Sequence, residues 1–455
     1  MNTKNELFEE TAVYKVYFKL ALPVVFSMVV SLIYNLVDTF FIARTGNTNL
    51  VAGISIATPI FTLLISFGDI FGLGGSSIIS RLLGQKHEAD ARRLSVFCFY
   101  ASFLYGIAVM IVMLLFCKPI LNLLGADKDT MYYASEYFKI IVLGAPVIII
   151  SYVPTNLLRT EGFSTVSMTG TILGAVINIV LDPIFIFTLN MGAAGAALAT
   201  VIGNICTDLF FIWFLITKSK ILSINPKELS ITLTEIGTIL SIGIPASATN
   251  FMQSFALIQT NRCLLHYGSN KLAAMGIVMK VNLIVVLILV GFAFGAQPLI
   301  GYNYGAENKL RLKKILQFCY GFECIISGIL SIVVSVKAPT LISIFIQDDK
   351  IVKIGTPMLR MQETGIIFMS IVLVTTSAFQ STGKVLGAFI LSISRQGVVF
   401  FFVLQLGSHF FGYNGILLAQ AVSDILTAVL AIILFRQNLF FEIKMSLPST
   451  ENKYI

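Results

Sequence analysis

The chain has 455 residues, of which 56% are hydrophobic and 12% are charged, and its mean hydropathy is +0.89. Soluble domains carry about 25% charged residues, so this composition excludes a soluble globular protein and predicts an integral membrane protein. The net charge of +8 does not indicate nucleic-acid binding, because the basic residues are concentrated in loops on one side of the predicted membrane segments. We therefore expect the chain to be surrounded by membrane lipid.

Twelve apolar segments follow one another along the chain. Each is long enough to cross a hydrocarbon core of about 30 Å, which takes about 20 helical residues. They cover residues 15–42, 51–79, 94–116, 137–158, 164–188, 193–216, 233–265, 272–300, 315–336, 356–381, 384–408 and 415–436. The sequence therefore predicts an all-α fold of twelve transmembrane helices.

The second half of the chain repeats the pattern of the first. Pro23 in the first segment is matched by Pro245 in the seventh, and the loop Gly84–Leu94 is matched by Gly305–Ile315. Both pairs are offset by about 220 residues, as expected of an internal duplication. Duplicated bundles of membrane helices are typical of transporters.

The repeat predicts two lobes of six helices. The polar segment Thr217–Leu233 separates the copies, so we expect an N-terminal lobe over residues 1–220 and a C-terminal lobe over residues 221–455. Six spans return the chain to its starting side, so the two copies have the same orientation. A pseudo-twofold axis would then run along the membrane normal.

Lys and Arg are distributed unevenly between the two sides of the predicted membrane. Nineteen lie in tails and loops on the side of the N-terminus, including Lys4, Arg93 and Lys453, whereas seven lie in the alternate loops, including Arg44 and Lys118. Cytoplasmic loops carry the excess of Lys and Arg. We therefore expect a multi-pass protein of the cell membrane with both termini in the cytoplasm.

Several classes of function have no support in the sequence. The chain has no GxxxxGK[ST] motif, so uphill transport would draw on an ion gradient. The six cysteines lie in predicted helices without a CxxC pair, and the three histidines lie in separate loops or helix ends, so we expect neither a disulfide framework nor a zinc site. No nucleophile and base are paired as in an enzyme, and no cofactor is expected.

Four aspartates interrupt the apolar segments of the first half, namely Asp38, Asp69, Asp182 and Asp208. A charged side chain at the bilayer centre costs about 2.5–3.5 kcal/mol on insertion scales, so each aspartate needs a reason. Neither Asp69 nor Asp208 belongs to an obvious cluster of polar residues one helical turn away, which favours a role in helix packing or in lining a cavity. Asp38 and Asp182 are the stronger functional candidates.

Asp182 lies in a segment suited to binding a small cation. Asn178 precedes it by one helical turn, so both side chains share a face. Pro183 lacks an N–H and should leave the carbonyl of Ile179 without its helical hydrogen bond. With the hydroxyl of Thr200, these oxygens would suit a small hard cation near the midplane. The alternative is a polar cluster that only fixes helix packing.

The second half differs from the first in its charges. The positions equivalent to Asp38 and Asp182 fall near Thr260 and Val403, which are neutral. Its spans contain other ionisable residues, namely Arg262, Lys280, Arg395, Glu323, Glu363 and Asp424. Cation coupling is therefore expected in the first half. Lys280 would either pair with a carboxylate or extend to the membrane interface.

Ordered motifs along the chain resemble one transporter family. They are LALPVVFSMVVSLIYNLVDTFFIARTGN in the first segment, LLRTEGF after the fourth, NIVLDPIFIF in the fifth and GAAGAALAT entering the sixth. In these segments, and over essentially its whole length, the chain resembles the multidrug and toxic compound extrusion (MATE) family. The resemblance implies twelve helices in two lobes around a V-shaped cavity, and export of organic cations in exchange for Na⁺ or H⁺.

The resemblance also implies roles for individual residues. Asp38, Asn178, Asp182 and Thr200 match the N-lobe cation site of the prokaryotic DinF-like branch, and Pro23 matches a proline at which the first helix bends. Acids of the C-terminal lobe used by the NorM-like branch have no counterpart at the matching positions here.

Three more polar side chains are expected to line the substrate cavity of the same lobe. They are Tyr34, Asn35 and Asn156. The expected substrates are small amphipathic cations, and the protein is expected to act as a monomer.

These observations lead to one hypothesis and one alternative. In the hypothesis, the two carboxylates attract an organic cation from the cytoplasm and release it outside, when Na⁺ or a proton takes its place. The alternative is a flippase for lipid-linked saccharide precursors, since such flippases share this architecture. A pyrophosphate-bearing substrate calls for a basic cavity, and the acids of the first half argue against it.

Overall fold

The structure is a computed structural model that describes residues 7–445. The described residues form helices joined by turns and loops, and no strand occurs among them. This confirms the predicted all-α class. Lys4 and Lys453, which contributed to the predicted orientation, lie outside the described residues, as do both termini.

Helices cover nearly all of the first half. They are α1 (Val13–Ala43), α2 (Thr48–Gly84), α3 (Glu88–Leu115), α4 (Cys117–Leu123), α5 (Met131–Leu143), α6 (Ala145–Thr160), α7 (Ser164–Pro183) and α8 (Gly192–Thr217). A π-helical turn, Ile184–Thr188, extends α7 beyond Pro183. Such turns interrupt the regular ladder of helical hydrogen bonds.

The second half repeats this succession. Its helices are α9 (Leu233–Leu265), α10 (Ser269–Gly295), α11 (Gln297–Gly305), α12 (Lys309–Phe345), α13 (Asp349–Glu363), α14 (Ile366–Thr382), α15 (Val385–Ile393), α16 (Val399–Phe435) and α17 (Phe441–Met445). A π-helical turn, Ser394–Val398, joins α15 to α16.

Each of the twelve predicted spans coincides with one of these helices, with a bent pair, or with part of a longer helical segment. By length and apolar composition, eight described helices could cross a membrane, or ten if each bent pair is one span. The bent pairs are α5 with α6, at 52°, and α13 with α14, at 46°. Gly412 breaks the 59-residue segment Val385–Ile443 with φ 56° and ψ −130°, between the two spans predicted there.

The helix boundaries have local causes. The Asn47 side chain accepts hydrogen bonds from the backbone N–H groups of Asn49 and Leu50 and so caps α2. Asn308 caps α12 in the same way through the N–H of Arg311. These caps satisfy donors that the first turn of a helix leaves unpaired.

The described residues form two compact units. The N-terminal unit is Phe26–Ser247, and the C-terminal unit combines the residues up to Val25 with those from Ala248 onward. The units therefore divide inside α1 and α9, two residues after Pro23 and two residues after Pro245. The lobe boundary at residues 220 and 221, drawn from the sequence repeat, stays a prediction.

Close helix packing inside the N-terminal unit depends on glycines of α2. A β-carbon on Gly72 would lie 2.6 Å from the carbonyl oxygen of Tyr152, and one on Gly68 would lie 2.7 Å from that of Ile149. Both carbonyls belong to α6, so α2 and α6 are in backbone contact at these positions. The glycines of this segment serve helix packing, as membrane helices commonly require.

Candidate cation site

The candidate site begins with one buried face of α7. Gly174, Asn178 and Asp182 follow one another at intervals of four residues and are all buried. The predicted common face of Asn178 and Asp182 is therefore present. The Asp182 side chain is fully buried, with 0% exposure.

A close approach of α8 to α7 brings Thr200 to this face. A β-carbon on Gly203 would lie 2.7 Å from the carbonyl oxygen of Gly174, and one on Gly174 would lie 2.1 Å from Oγ1 of Thr207. Because neither glycine has a side chain, the two backbones can meet there. Thr200, about one turn before Gly203, then reaches Asn178.

The Asn178 amide connects Asp182 to Thr200. In the orientation that satisfies both ends of the amide, its nitrogen donates to Asp182 Oδ2 at 3.2 Å. Its oxygen accepts from the Thr200 backbone N–H at 3.0 Å and from the Thr200 hydroxyl at 3.2 Å. The Thr200 hydroxyl also lies 3.1 Å from the carbonyl oxygen of Ala196. This network holds the Asp182 carboxyl in place from one side.

Asp38 of α1 completes the cluster from the other side. Its carboxyl group lies close enough to the Asp182 carboxyl for the two to interact. One oxygen of each group, Oδ1 in both cases, is buried without a hydrogen-bond partner among the described residues. Two carboxyl groups this close repel each other when both are ionised, so the pair is suited to binding a positive species. We call Asp38 and Asp182 the aspartate pair.

Two tyrosines lie near the aspartate pair. The phenols of Tyr34 and Tyr137 both lie close enough to interact electrostatically with it. Asn35 is exposed, donates to the carbonyl oxygen of Ser31 at 2.6 Å and interacts with the Tyr34 hydroxyl. Of the three predicted cavity residues, Tyr34 therefore lies beside the pair, and Asn35 is linked to it through Tyr34.

Asn156 belongs to a second polar cluster of the N-terminal unit. Its Nδ2 lies 3.5 Å from Asp69 Oδ1, and its oxygen accepts from Arg159 Nη1 at 3.3 Å. Arg159 Nε donates to Ser167 Oγ at 3.3 Å. Tyr152 interacts with both Tyr34 and Asp69 and so lies between this cluster and the aspartate pair.

The structure supplies partners that the sequence pattern did not reveal. Ser151 Oγ donates to Asp208 Oδ1 at 2.6 Å, between α6 and α8. The two residues are 57 positions apart, so a search one helical turn away could not find the contact. Asp69 likewise gains Asn156 and Arg159 from α6.

The C-terminal unit arranges its charges differently. Arg395 Nε donates to Asp424 Oδ1 at 2.9 Å, and both side chains are buried. Lys280 and Arg262 are exposed, and neither forms an ion pair within residues 7–445. No group of three or more His, Cys, Asp and Glu side chains in the described part of the chain is arranged to hold a metal ion.

Comparisons with known proteins agree with the repeat. The family model described as MatE matches the chain twice, over residues 23–184 and over residues 245–406. The two matches begin at Pro23 and Pro245, the prolines paired in the sequence. This confirms the predicted duplication.

Relatives and solved structures match nearly the whole chain. The multidrug export protein MepA of Staphylococcus haemolyticus (strain JCSC1435) is 33% identical over 424 residues, which cover 93% of each chain. MepA of Staphylococcus aureus (strain MRSA252) is 31% identical over 427 residues, which cover 94% of each. An outward-facing multidrug resistance MATE family transporter of the MOP superfamily superposes with a TM-score of 0.92 at 24% identity, covering 98% of this chain and 100% of that one.

At 24% identity the superposition shows a common fold, whereas the two family matches and the identity to the MepA proteins show common descent. The chain therefore belongs to the MATE family, whose members are secondary transporters and not enzymes.

Proposed function

We propose that this chain is a multidrug efflux antiporter that exports small amphipathic organic cations in exchange for Na⁺ or H⁺. Similarity to multidrug export proteins supports the efflux activity. The observation that carries the proposed coupling is the aspartate pair, in which two carboxyl groups from different helices meet within an apolar bundle.

The chemistry of the pair suits competition between two positive ligands. An organic cation, a sodium ion or a proton would each relieve the repulsion between Asp38 and Asp182. Because one charge cannot be matched twice, binding of the small cation would weaken binding of the drug. If the protein reorients only when this charge is matched, exchange becomes obligatory.

The neighbouring residues would have separate roles. Asn178 and Thr200 would orient the Asp182 carboxyl, and their oxygens could contribute to a sodium site after the amide turns. Tyr34 would present an aromatic face to an organic cation, since such cations bind over aromatic rings. Asn156 would act through Asp69 and Arg159, outside direct contact with the pair.

The test is efflux of a fluorescent cationic dye from vesicles with Na⁺ and pH gradients imposed separately. Dependence on one gradient identifies the coupling ion. We expect Asp38→Asn and Asp182→Asn each to lower gradient-driven efflux at least tenfold, since the amide cannot provide the negative charge. Asp129→Asn, the same chemical change in an exposed turn, is the matched control and should transport normally.

Two outcomes would count against the proposal. Undiminished gradient-driven efflux in both aspartate variants would remove the pair from the mechanism. Failure of the parent protein to move any cationic dye under either gradient would favour the flippase. Against that alternative, the buried Arg395 is already paired with Asp424 and is not available to a pyrophosphate group.

A further inference from the structure

Glu323 is a buried acid outside the aspartate pair, and the proposed transport mechanism does not use it. Glu323 lies in the middle of α12 in the C-terminal unit, and its side chain is fully buried, with 0% exposure. Neither carboxyl oxygen has a hydrogen-bond partner among the described residues. A buried acid with two unsatisfied oxygens is unusual, since the great majority of buried polar atoms are paired.

A second unsatisfied polar group lies in the same region. Tyr17 of α1 also has 0% exposure, and its hydroxyl is without a hydrogen-bond partner within residues 7–445. The Tyr17 ring packs edge-on against Phe318 and Phe322 of α12, with centroids 5.1 Å and 5.5 Å apart. These contacts place Tyr17 beside the stretch of α12 that carries Glu323, and the two groups interact electrostatically.

Glu323 has no counter-charge of its own within the described part of the chain. The titratable groups that interact with Glu323 are Tyr17 on α1 and Cys319 on its own helix. The helix packed most extensively against α12, α14, has no charged residue. No Lys or Arg of the described residues forms an ion pair with Glu323.

An ionised carboxylate at this fully buried position would have neither a counter-charge nor a hydrogen-bond donor among the described residues. Burying an unpaired charge is far more costly than burying a neutral acid. The neutral acid carries a proton that it can donate to the Tyr17 oxygen. After the proton leaves for water, the carboxylate can accept the hydrogen bond of the Tyr17 O–H instead.

We propose that Glu323 is a proton-binding site of the C-terminal unit and that Tyr17 becomes its hydrogen-bonding partner when the two side chains turn toward each other. The site is built from a carboxyl and a neighbouring phenol in an aromatic cluster, and it is separate from the aspartate pair. Because water must reach the carboxyl for the proton to leave, proton release also requires Tyr17 and its rings to loosen. Proton occupancy thus favours the packing of α1 against α12 seen here.

The test is infrared difference spectroscopy of the full-length protein in lipid vesicles, between acidic and alkaline pH. A protonated carboxyl that titrates gives a C=O stretching band. We expect Glu323→Gln to lose one such band and Tyr17→Phe, which removes only the hydroxyl, to shift the same band. Glu363→Gln changes another buried acid of this unit and should leave that Tyr17-sensitive band in place.

The result that overturns the proposal is a Glu323→Gln spectrum identical to that of the parent. If Glu323→Gln does not fold, Tyr17→Phe decides, because a band that does not shift shows that the two groups do not share a proton. Asp38→Asn should leave the band unchanged. Loss of dye efflux in Asp38→Asn concerns the proposed transport mechanism, whereas this band concerns Glu323 alone.

Discussion

Thr200 sets the orientation of the Asn178 side-chain amide relative to Asp182. Its backbone N–H and its hydroxyl both donate to the amide oxygen, which leaves the amide nitrogen to donate to the carboxyl. Asp38 is the other neighbour of the Asp182 carboxyl.

Replacing Thr200 with the isosteric Val removes one of these two donors and keeps the volume. A hydrogen bond of this kind contributes about 1 kcal/mol, so we expect gradient-driven dye efflux to fall about fivefold while expression stays normal. The control is Thr217→Val, in an exposed position at the end of the same helix. Equal efflux by the two variants would show that Thr200 does not orient the amide.

The ion pair of Arg395 and Asp424 should be important for stability. Both partners are buried, so Asp424→Ala leaves a guanidinium without its counter-charge at a cost of about 3–5 kcal/mol. We expect the midpoint of thermal unfolding in detergent to fall by many degrees. Replacing both residues together, with Arg395→Met and Asp424→Leu, should recover most of that loss. A double variant as unstable as Asp424→Ala would contradict this explanation.

At the scale of helices, glycine contacts bring the candidate site together. Asn178 and Thr200 lie on different helices, and they can meet because Gly174 and Gly203 let α7 and α8 approach with no side chain between them. The regular i, i+4 spacing on α7 therefore gives one face, and the neighbouring helix supplies the rest of the site.

Gly203→Ala tests this dependence. The added methyl group would lie 2.7 Å from a backbone oxygen, and overpacking of this kind costs about 1–3 kcal/mol. We expect both a lower unfolding midpoint and impaired efflux, because the helices must separate at the site. Gly276→Ala is the matched control, since no atom lies within 4 Å of its β-carbon. A Gly203→Ala protein as stable and active as the control would show that α7 and α8 can adjust.

The helices could be predicted from the sequence because a span must be long and continuously apolar. The 52° bend between α5 and α6 could not, since the apolar pattern runs through it from Met131 to Thr160. The same holds for the contact between Ser151 and Asp208, which depends on how α6 packs on α8. Composition identifies the segments that can cross the membrane, whereas bends and contacts between distant residues are set by tertiary packing.

The residues of the candidate site could be predicted from the sequence to different degrees. The shared face of Asn178 and Asp182 follows from helical spacing alone. Asp38 stands out in the sequence as an acid within an apolar segment, but its place in one site with Asp182 came from the family resemblance, because no local pattern connects residues so far apart. Asn156 lies with Asp69 and Arg159, and nothing in its immediate sequence distinguishes that cluster from the one around Asp182.

At the scale of the whole molecule, the segment between the two repeats is firmly attached to the N-terminal unit. Arg92 Nε donates to the carbonyl oxygen of Ile221 at 3.2 Å, and Tyr100 donates to that of Ile224 at 2.9 Å. The buried Glu161 accepts from the Ser219 hydroxyl at 2.6 Å and from the Ile221 N–H at 3.2 Å. These contacts hold the segment Thr217–Leu233 in place, and we call it the strap.

Limited trypsin digestion of oriented membrane vesicles tests both the strap and the predicted topology. The strap carries Lys218, Lys220 and Lys227, and the positive-inside distribution predicts that it lies in the cytoplasm. Cleavage is therefore expected in inside-out vesicles and absent in right-side-out ones.

Glu161→Ala should accelerate this cleavage. The change removes both hydrogen bonds to the strap, at about 1 kcal/mol or more each, and cleavage follows the population of the open segment when opening is fast. We expect an increase of about tenfold or more, and Glu136→Ala, which leaves the strap bonds intact, is the control. Cleavage from the outer face would reverse the assigned orientation, whereas equal rates for the two variants would show that Glu161 does not hold the strap.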